Sequence, residues 1–202
     1  MRPETDGNRI LRDSEALSND AKASAGDRRV RRSRAALTAA LTELTFERGY
    51  RGLSPNDIAE RADVGRSTFY SHYSGLGDLL AESLDKHLSI LAQCTLKPEF
   101  DPALLTTVEH FWEQRAAREV LRGRPGAAIS RLLSSRLEAA WLGLRRSRRS
   151  RSAAPPSLVA TQLAAGQLAV LDAWLSGRTS ASPDQVSRLL HQSTYAAAIA
   201  SL

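Results

Sequence analysis

The residues best suited to chemistry lie within one stretch, GLSPNDIAERADVGRSTFYSHYSGLGDLL, which covers residues 52–80. Its second half collects hydrogen-bonding side chains within seven positions, namely Arg66, Ser67, Thr68, Tyr70, Ser71 and His72. A guanidinium group can bind O6 and N7 of a guanine together, and hydroxyl and imidazole groups bind phosphate oxygens. These residue types at this spacing suit contact with the base edges and backbone of a nucleic-acid duplex.

Apolar residues at helical spacing are needed to position these polar groups. Phe69 and Tyr73 lie one turn apart, which predicts a short helix packed through its apolar side with its polar face outward. Ser54-Pro55 is typical of a helix start and opens a second short helix, NDIAERA. Its inward residues are predicted to be Ile58, Ala59 and Ala62. Asp63-Val64-Gly65 separates the two helices, and the pair predicts a helix-turn-helix.

A longer helix is expected to precede this pair and brace it. Asp27 is its predicted N-cap and Gly49 its predicted C-cap. Its apolar face is predicted to carry Val30, Leu37, Leu41 and Leu44. The first turns also carry the arginines Arg28, Arg29, Arg31, Arg32 and Arg34, for which phosphate binding and a plain solvated face are both open. Residues 1–26 lack sustained periodicity and are predicted to form a disordered tail.

The stretch 52–80 resembles the DNA-binding signature of the tetracycline-repressor (TetR) family. The resemblance extends over residues 28–91 and depends on the following matches: Ile58-Ala59, Ala62-x-Val64, Ser67-Thr68-Phe69-Tyr70, His72 with Tyr73, and Asp78-Leu79-Leu80. Three positions depart from the family pattern. Asp63 replaces a usual glycine, Gly65 replaces a usual serine-type cap, and Leu76 replaces a frequent phosphate-binding lysine.

The resemblance implies a set of DNA-binding residues. They are Arg28, Arg31, Arg32, Ser54, Asn56, Gly65, Arg66, Ser67, Thr68, Tyr70, Ser71 and His72. Arg66 is the expected base-reading residue, and Tyr70 and His72 are expected to bind phosphates. Each of these three has an open structural alternative, since Tyr70 could lie partly in the core, His72 could be a local cap and Arg66 could simply be solvated.

Beyond residue 100 the apolar pattern stays helical, and no strand-like alternation occurs. The sequence therefore predicts an all-α fold of about nine helices. The expected N-terminal unit is a three-helix helix-turn-helix DNA-binding domain over residues 27–87. The expected C-terminal unit, over residues 88–202, is a helical ligand-binding and dimerisation domain, as the family resemblance implies.

The last two predicted helices are rich in small residues that allow close helix approach, including Ala164, Ala165, Gly166, Ala169 and the segment YAAAIASL at 195–202. We expect a homodimer through these helices, with intramolecular core packing as the alternative. The expected pocket residues are His87, His110, Phe111, Trp112, Leu133, Leu137, Trp141 and Trp174. Such a lining suits a small apolar or aromatic effector, although tryptophans at helical spacing are also typical of a core.

Composition restricts the remaining classes of function. The net charge of +6 and the pI near 10.1 are compatible with a polyanionic partner such as double-stranded DNA. No apolar run approaches the roughly 20 residues that span a membrane, and the N-terminus lacks a signal-peptide pattern, so a cytoplasmic protein without a membrane partner is expected. The sequence contains no H-E-x-x-H, G-x-S-x-G or P-loop motif, and we predict no catalytic residue, metal site or cofactor.

The combined pattern predicts a sequence-specific transcriptional regulator, a ligand-responsive repressor that acts as a homodimer on a palindromic operator. Two alternatives stay open at this point. One is an orphan or activator member that responds to a protein partner in place of a small ligand. The other is a helical enzyme or interaction module whose helix-turn-helix is vestigial.

Overall fold

The computed structural model describes residues 7–150 and 154–202. Within these ranges it contains nine α-helices, one 3₁₀ helix and no β-strand, which confirms the predicted all-α fold. The α-helices are α1 (Gly7–Arg48), α2 (Pro55–Arg61), α3 (Arg66–His72), α4 (Leu76–Ser83), α5 (Asp85–Cys94), α6 (Pro102–Glu113), α7 (Gly123–Ser147), α8 (Pro156–Leu175) and α9 (Pro183–Ala200). The 3₁₀ helix, Arg115–Leu121, lies between α6 and α7.

Helix α1 begins far earlier than its predicted cap at Asp27. It starts at Gly7, so residues 7–26 are helical where the sequence predicted a disordered tail, and residues 1–6 of that tail lie outside the described ranges. Residues 8–25 contain no glycine or proline, and extending an existing helix adds one hydrogen bond for each residue fixed. Leu37, Leu41 and Leu44 are buried as predicted. Val30 is 40% exposed, because nothing packs against this part of α1.

The two short helices α2 and α3 form the predicted helix-turn-helix. Ser54 caps α2 in a reciprocal capping box with Asp57, and Pro55 occupies the first turn. The intervening turn requires a left-handed residue, and Asp63 supplies it with φ at 52°. Aspartate tolerates this conformation better than most residues, so the turn forms without the glycine usual in the family.

Helices α4 and α5 follow each other with one residue between them. The chain is interrupted at Leu84, whose φ and ψ of −91° and −3° separate the two helices. Both α4 and α5 pack on α7, and α7 packs in turn on α8. Since α1 also contacts α4, this helix joins the helix-turn-helix to the C-terminal bundle.

Residues 123–126 form the first turn of α7. Gly123 adopts a φ of 63°, which redirects the chain after the 3₁₀ helix. Gly126 then passes against the end of that helix, and a Cβ atom built on it would lie 2.2 Å from the Leu121 carbonyl oxygen. The close approach of two backbone segments therefore requires glycine at position 126.

Helix α8 is long and apolar enough to cross a membrane by length and composition, which the sequence analysis did not anticipate, and no other helix in the described ranges is. Several of its residues, however, are buried within the bundle, among them Leu163, Leu171 and Trp174. Its buried Gln167 also donates through Nε2 to Thr95 Oγ1 at 3.0 Å and to Thr194 Oγ1 at 3.3 Å. A buried amide group that donates to two neighbouring elements is typical of a helix packed in a protein core.

Candidate nucleic-acid interface and adjacent cavity

The outer face of α3 presents a continuous set of polar side chains. Arg66, Ser67 and Ser71 are exposed, and Thr68 is half-buried. Tyr70 is 53% exposed, with its ring edge-on to Phe69 at 5.4 Å between centroids. The ring of Tyr70 therefore packs against Phe69, while its hydroxyl remains available to a partner outside the protein.

The inner face of α3 holds the helix in place. Phe69 is fully buried and Tyr73 nearly so. His72 is half-buried, and its Nε2 lies 2.9 Å from the Ser33 hydroxyl of α1. The Ser33 hydroxyl, which also lies 3.0 Å from the Val30 carbonyl, accepts from or donates to this ring nitrogen according to the tautomer of His72. This bond fixes the imidazole against α1 and leaves the other ring nitrogen for an external contact.

At the start of α2, the Ser54 side chain makes hydrogen bonds within the protein, whereas the Asn56 side chain is available to an external partner. Ser54 accepts from the Asp57 backbone N–H. Its hydroxyl and its backbone N–H both donate to the Asp57 carboxylate, and these two hydrogen bonds lower the pKa of Asp57. Asn56 is exposed. At α3 the predicted cap Gly65 has extended φ and ψ but makes no side-chain bond, so the first N–H groups of α3 face outward without a side-chain acceptor.

The arginines at the start of the packed part of α1 are all exposed, namely Arg28, Arg29, Arg31, Arg32 and Arg34. Arg31 forms an ion pair with Asp27 at 3.3 Å, and Arg34 forms one with Glu82 of α4. These arginines thus form a basic surface on α1, the helix that Ser33 joins to α3 through His72.

A half-enclosed cavity of about 500 Å³ lies between α1 and the C-terminal helices. Its walls are mainly leucines, with Phe111, Val120 and Ile129, and its polar lining includes Thr38, Thr42, Thr45, Ser83, His87, His110 and Arg118. The imidazoles of His87 and His110 stack in parallel, with 4.4 Å between centroids and 2° between ring planes. Burial lowers the pKa of His87, and the neighbouring His110 and Lys86 act in the same direction.

Residues 37–82, which run from the buried part of α1 to the end of α4, match the family of bacterial regulatory proteins described as the tetR family. The helix-turn-helix of this chain is a TetR-family domain. The match includes every predicted DNA-binding residue except the arginines of α1, which precede it. The resemblance identified from the sequence is therefore confirmed, and the protein has the fold of a TetR-family transcriptional regulator.

Solved structures extend the similarity of fold to the C-terminal domain. A TetR transcriptional regulator from Streptococcus agalactiae is 22% identical, with a TM-score of 0.52, over 85% of this chain and 98% of that one. Thermus thermophilus FadR, a TetR-family repressor in complex with lauroyl-CoA, is 20% identical, with a TM-score of 0.54, over 78% of this chain and 92% of that one. A comparison with curated protein sequences gives no significant match.

The cavity contains only part of the predicted pocket. His87, His110 and Phe111 line it, as expected from the sequence. The other five predicted residues, Trp112, Leu133, Leu137, Trp141 and Trp174, do not. Leu133 and Leu137 are fully buried in the core, where α7 packs on α4, α5 and α8, and Ile129 is the described residue of α7 that lines the cavity.

The three tryptophans have structural partners. Trp141 is fully buried and donates through Nε1 to the Ala198 carbonyl of α9 at 3.3 Å. Trp174 donates to the Ala181 carbonyl at 2.9 Å and stacks on Trp112 with 4.7 Å between centroids. Both buried indole N–H groups are satisfied within the chain, so these residues are core residues in the structure.

Helix α1 also lines the cavity, which was not predicted from the sequence. Thr38, Leu41, Thr42 and Thr45 all line it from the helix that braces the helix-turn-helix. Their spacing of three, one and three residues places them on one side of α1, and this spacing was the available signal. The wall of the cavity therefore includes residues of both predicted units, 27–87 and 88–202. In the described ranges, no group of three or more metal-ligating side chains is present.

A second, wider groove of about 1130 Å³ lies between α1, α4 and α7. Its charged side chains pair with one another across the groove. Arg136 of α7 binds Asp85 at 2.7 Å, and Arg34 of α1 binds Glu82. Arg131 approaches Asp78 at 3.9 Å. The pairs at Asp78 and Asp85 connect α4 and α5 to α7, and the pair at Glu82 connects α1 to α4.

Proposed function

We propose that this protein is a ligand-responsive repressor of transcription that binds a palindromic DNA operator as a homodimer. The observation that carries the proposal is the exposed polar face of α3, from Arg66 to Ser71, packed onto the protein through buried Phe69 and Tyr73. A short helix with a free polar face and a fixed apolar face can enter a major groove without unfolding its own domain. The TetR-family match over residues 37–82 supports the same conclusion.

Each part of this surface has a distinct proposed role. Arg66 reads a base edge from the N-terminal end of α3. Tyr70 donates to a phosphate, and His72, fixed by Ser33, contacts a second phosphate. The exposed residues Arg28, Arg31 and Arg32 bind the neighbouring backbone, with Asn56 at the start of α2. Ser67, Thr68 and Ser71 line the groove between these contacts, while Ser54 acts through its cap on α2.

The proposed dimer forms through α8 and α9, whose outer faces are unpartnered in the single chain. Leu158 and Leu189 are 64% and 50% exposed, and Ala165, Gly166 and Ala169 are exposed between them along α8. Two helices from each subunit would bury these faces in a four-helix interface. Ala164 is buried within the chain and takes no part.

The proposed effector is a small apolar or aromatic molecule that occupies the cavity of about 500 Å³. It would shift the protein between a DNA-binding state and a released state by binding the two with different affinity. FadR of Thermus thermophilus, which shares this fold, was solved with lauroyl-CoA. We propose that the protein acts in the cytoplasm, where its operator lies.

Selection from a pool of randomised DNA duplexes, followed by fluorescence anisotropy with the selected sequence, tests this function. We expect the full chain to enrich a sequence with two-fold symmetry, its half-sites about 34–36 Å apart. Arg66→Ala should cost about 1–3 kcal/mol and relax the preference at one base position of each half-site. Tyr70→Phe, which removes only the hydroxyl, should weaken binding to all duplexes by about 1 kcal/mol.

Arg178→Ala is the matched control for charge, because Arg178 is exposed on the loop after α8. Its affinity for the selected duplex should equal that of the unmodified chain. If no sequence is enriched, or if Arg66→Ala binds the selected duplex as tightly as Arg178→Ala does, the proposed function is wrong.

The proposed homodimer is tested by measuring the sedimentation of a matched pair of variants. Gly166→Arg places a long charged side chain on the exposed face of α8 and should give a monomer. Ala139→Arg places the same side chain on an exposed position of α7 and should leave a dimer. A dimer that persists in Gly166→Arg would contradict the proposed interface.

A further inference from the structure

The cavity between the two domains contains two polar atoms without a partner in the described ranges. Thr45 Oγ1 of α1 and His87 Nδ1 of α5 are both buried and make no hydrogen bond. Both residues line the cavity. A buried polar atom without a hydrogen-bond partner costs free energy. A ligand that makes hydrogen bonds to these two atoms therefore binds more tightly than its apolar contacts alone would allow.

Two other hydroxyl groups in the cavity wall already make hydrogen bonds to backbone carbonyls. Thr42 Oγ1 donates to the Thr38 carbonyl at 3.0 Å, and Ser83 Oγ donates to the Leu80 carbonyl at 2.7 Å. Most of the remaining wall is apolar. The unsatisfied positions Thr45 and His87 therefore distinguish a ligand with hydrogen-bonding groups from a purely apolar one.

The ring geometry near His87 favours a flat ligand without charge. The parallel imidazoles of His87 and His110 and the ring of Phe111, 5.7 Å from His87, present aromatic surface at one side of the cavity. Burial of His87 beside a second imidazole favours the neutral ring. A neutral imidazole can donate a hydrogen bond to a hydroxyl group or accept one from it. A carboxylate would lose its hydration without gaining a buried cation, because Arg118 of the cavity lining is exposed.

We propose that the cavity binds an uncharged aromatic molecule that carries hydroxyl groups, a phenol-type compound, through His87 Nδ1 and Thr45 Oγ1. The proposal depends on the proposed function, because it names the chemical class of the effector. Thr45 belongs to α1, which braces the helix-turn-helix, and His87 to α5, which packs on α7 of the C-terminal bundle, so such a molecule contacts both helices at once. It can therefore change their relative position without acting through an intermediate element.

Titration calorimetry with three probes of one size tests the proposal, namely biphenyl-4-ol, biphenyl and biphenyl-4-carboxylate. We expect biphenyl-4-ol to bind one molecule per chain, about tenfold more tightly than either of the others. Equal affinity for biphenyl, tighter binding of the carboxylate, or no saturable binding of the phenol would each overturn the proposal.

Variants of nearly the same shape test whether the preference for biphenyl-4-ol over biphenyl depends on Thr45 Oγ1 and His87 Nδ1. Thr45→Val removes the unsatisfied hydroxyl, and His87→Phe keeps a flat ring without nitrogen. Each should bring the affinity for biphenyl-4-ol close to that for biphenyl and leave the affinity for biphenyl unchanged. Thr42→Val is the matched control, because its hydroxyl is already bound to a carbonyl, and it should keep the preference. If Thr45→Val and His87→Phe both keep the full preference for biphenyl-4-ol over biphenyl, the assignment to these two side chains is overturned.

Duplex binding, measured on the same samples, separates this proposal from the proposed function. We expect biphenyl-4-ol to lower the affinity for the selected duplex about fivefold or more. Binding of the phenol with no change in duplex affinity overturns its role as effector class and leaves the DNA-binding function standing. A chain that selects no duplex overturns the proposed function, whatever it binds in the cavity.

Discussion

The guanidinium of Arg34 lies against the carboxylate of Glu82 and joins α1 to α4. Arg34 Nε donates to Glu82 Oε1 at 3.1 Å, and Arg34 Nη2 donates to Oε2. The Tyr73 hydroxyl at the end of α3 donates to the same Oε1 at 3.1 Å. The hydrogen bonds to Glu82 raise the pKa of Arg34. The carboxylate of Glu82 thus connects α1, the end of α3 and α4, the helix that leads toward the C-terminal bundle.

Replacing Glu82 by Gln should destabilise the protein modestly. The two side chains are 46% and 34% exposed, so solvent screens the pair, and we expect a loss of about 1 kcal/mol or less in the free energy of unfolding, measured in urea. Tyr73→Phe removes one of the three hydrogen bonds and should cost less. Glu109→Gln, an exposed change on α6, should have no effect, and equal stability of all three variants would contradict the role of this carboxylate.

Adding a methyl group at two glycines of α7 should have opposite effects. The Cβ of Gly126→Ala would lie 2.2 Å from the Leu121 carbonyl oxygen, so the backbone must move and the protein should lose stability. Gly143 lies inside the same helix with open space around its Cα, and Gly143→Ala should gain up to about 1 kcal/mol from helix propensity. Thermal unfolding of both variants is the measurement. A stabilised Gly126→Ala protein would show that the 3₁₀ helix does not pack here.

Truncating Trp141 should affect folding and leave the cavity intact. Because the indole is fully buried and hydrogen-bonded to α9, Trp141→Ala should cost about 3–5 kcal/mol, and Trp141→Phe should cost less. The Trp141→Phe variant should bind cavity ligands with unchanged affinity, since residue 141 does not line the cavity. A large loss of ligand affinity in a folded Trp141→Phe protein would restore its sequence-predicted role as a pocket residue.

Acidification should destabilise the folded protein partly through His87. Burial lowers the pKa of His87 below its ordinary value of 6.5, so the unfolded chain takes up the proton first as the pH falls. The contribution of His87 is therefore fully present above that ordinary value and is lost as the pH falls through the lowered pKa. The free energy of unfolding of His87→Phe, followed from about pH 7.5 to about pH 5.5, should decline less steeply than that of the unmodified protein. Parallel profiles would contradict this assignment.

The dependence of DNA affinity on salt concentration should show whether the arginines of α1 bind phosphates. Arg32 is exposed, and if it neutralises one phosphate, Arg32→Ala should reduce the slope of log affinity against log salt by about 0.9 per chain. Anisotropy with the selected duplex at several salt concentrations measures the slope. Arg178→Ala should leave it unchanged. An unchanged slope in Arg32→Ala would mean that this part of α1 is only a solvated face.

Local sequence determined the helix-turn-helix and the helical class of the fold. Ser54-Pro55 opens α2, Asp63 supplies the left-handed turn, and Phe69 with Tyr73 orients α3, because caps, turns and helical spacing act between residues near one another in the chain. Only the tertiary structure decided which apolar residues line the cavity. Trp141 and Phe111 have the same kind of local pattern, yet one packs into the core and the other faces the cavity. That choice depends on how distant helices meet, as do the bond between Ser33 and His72 and the shared carboxylate of Glu82, because the chain brings these residues together only when it folds.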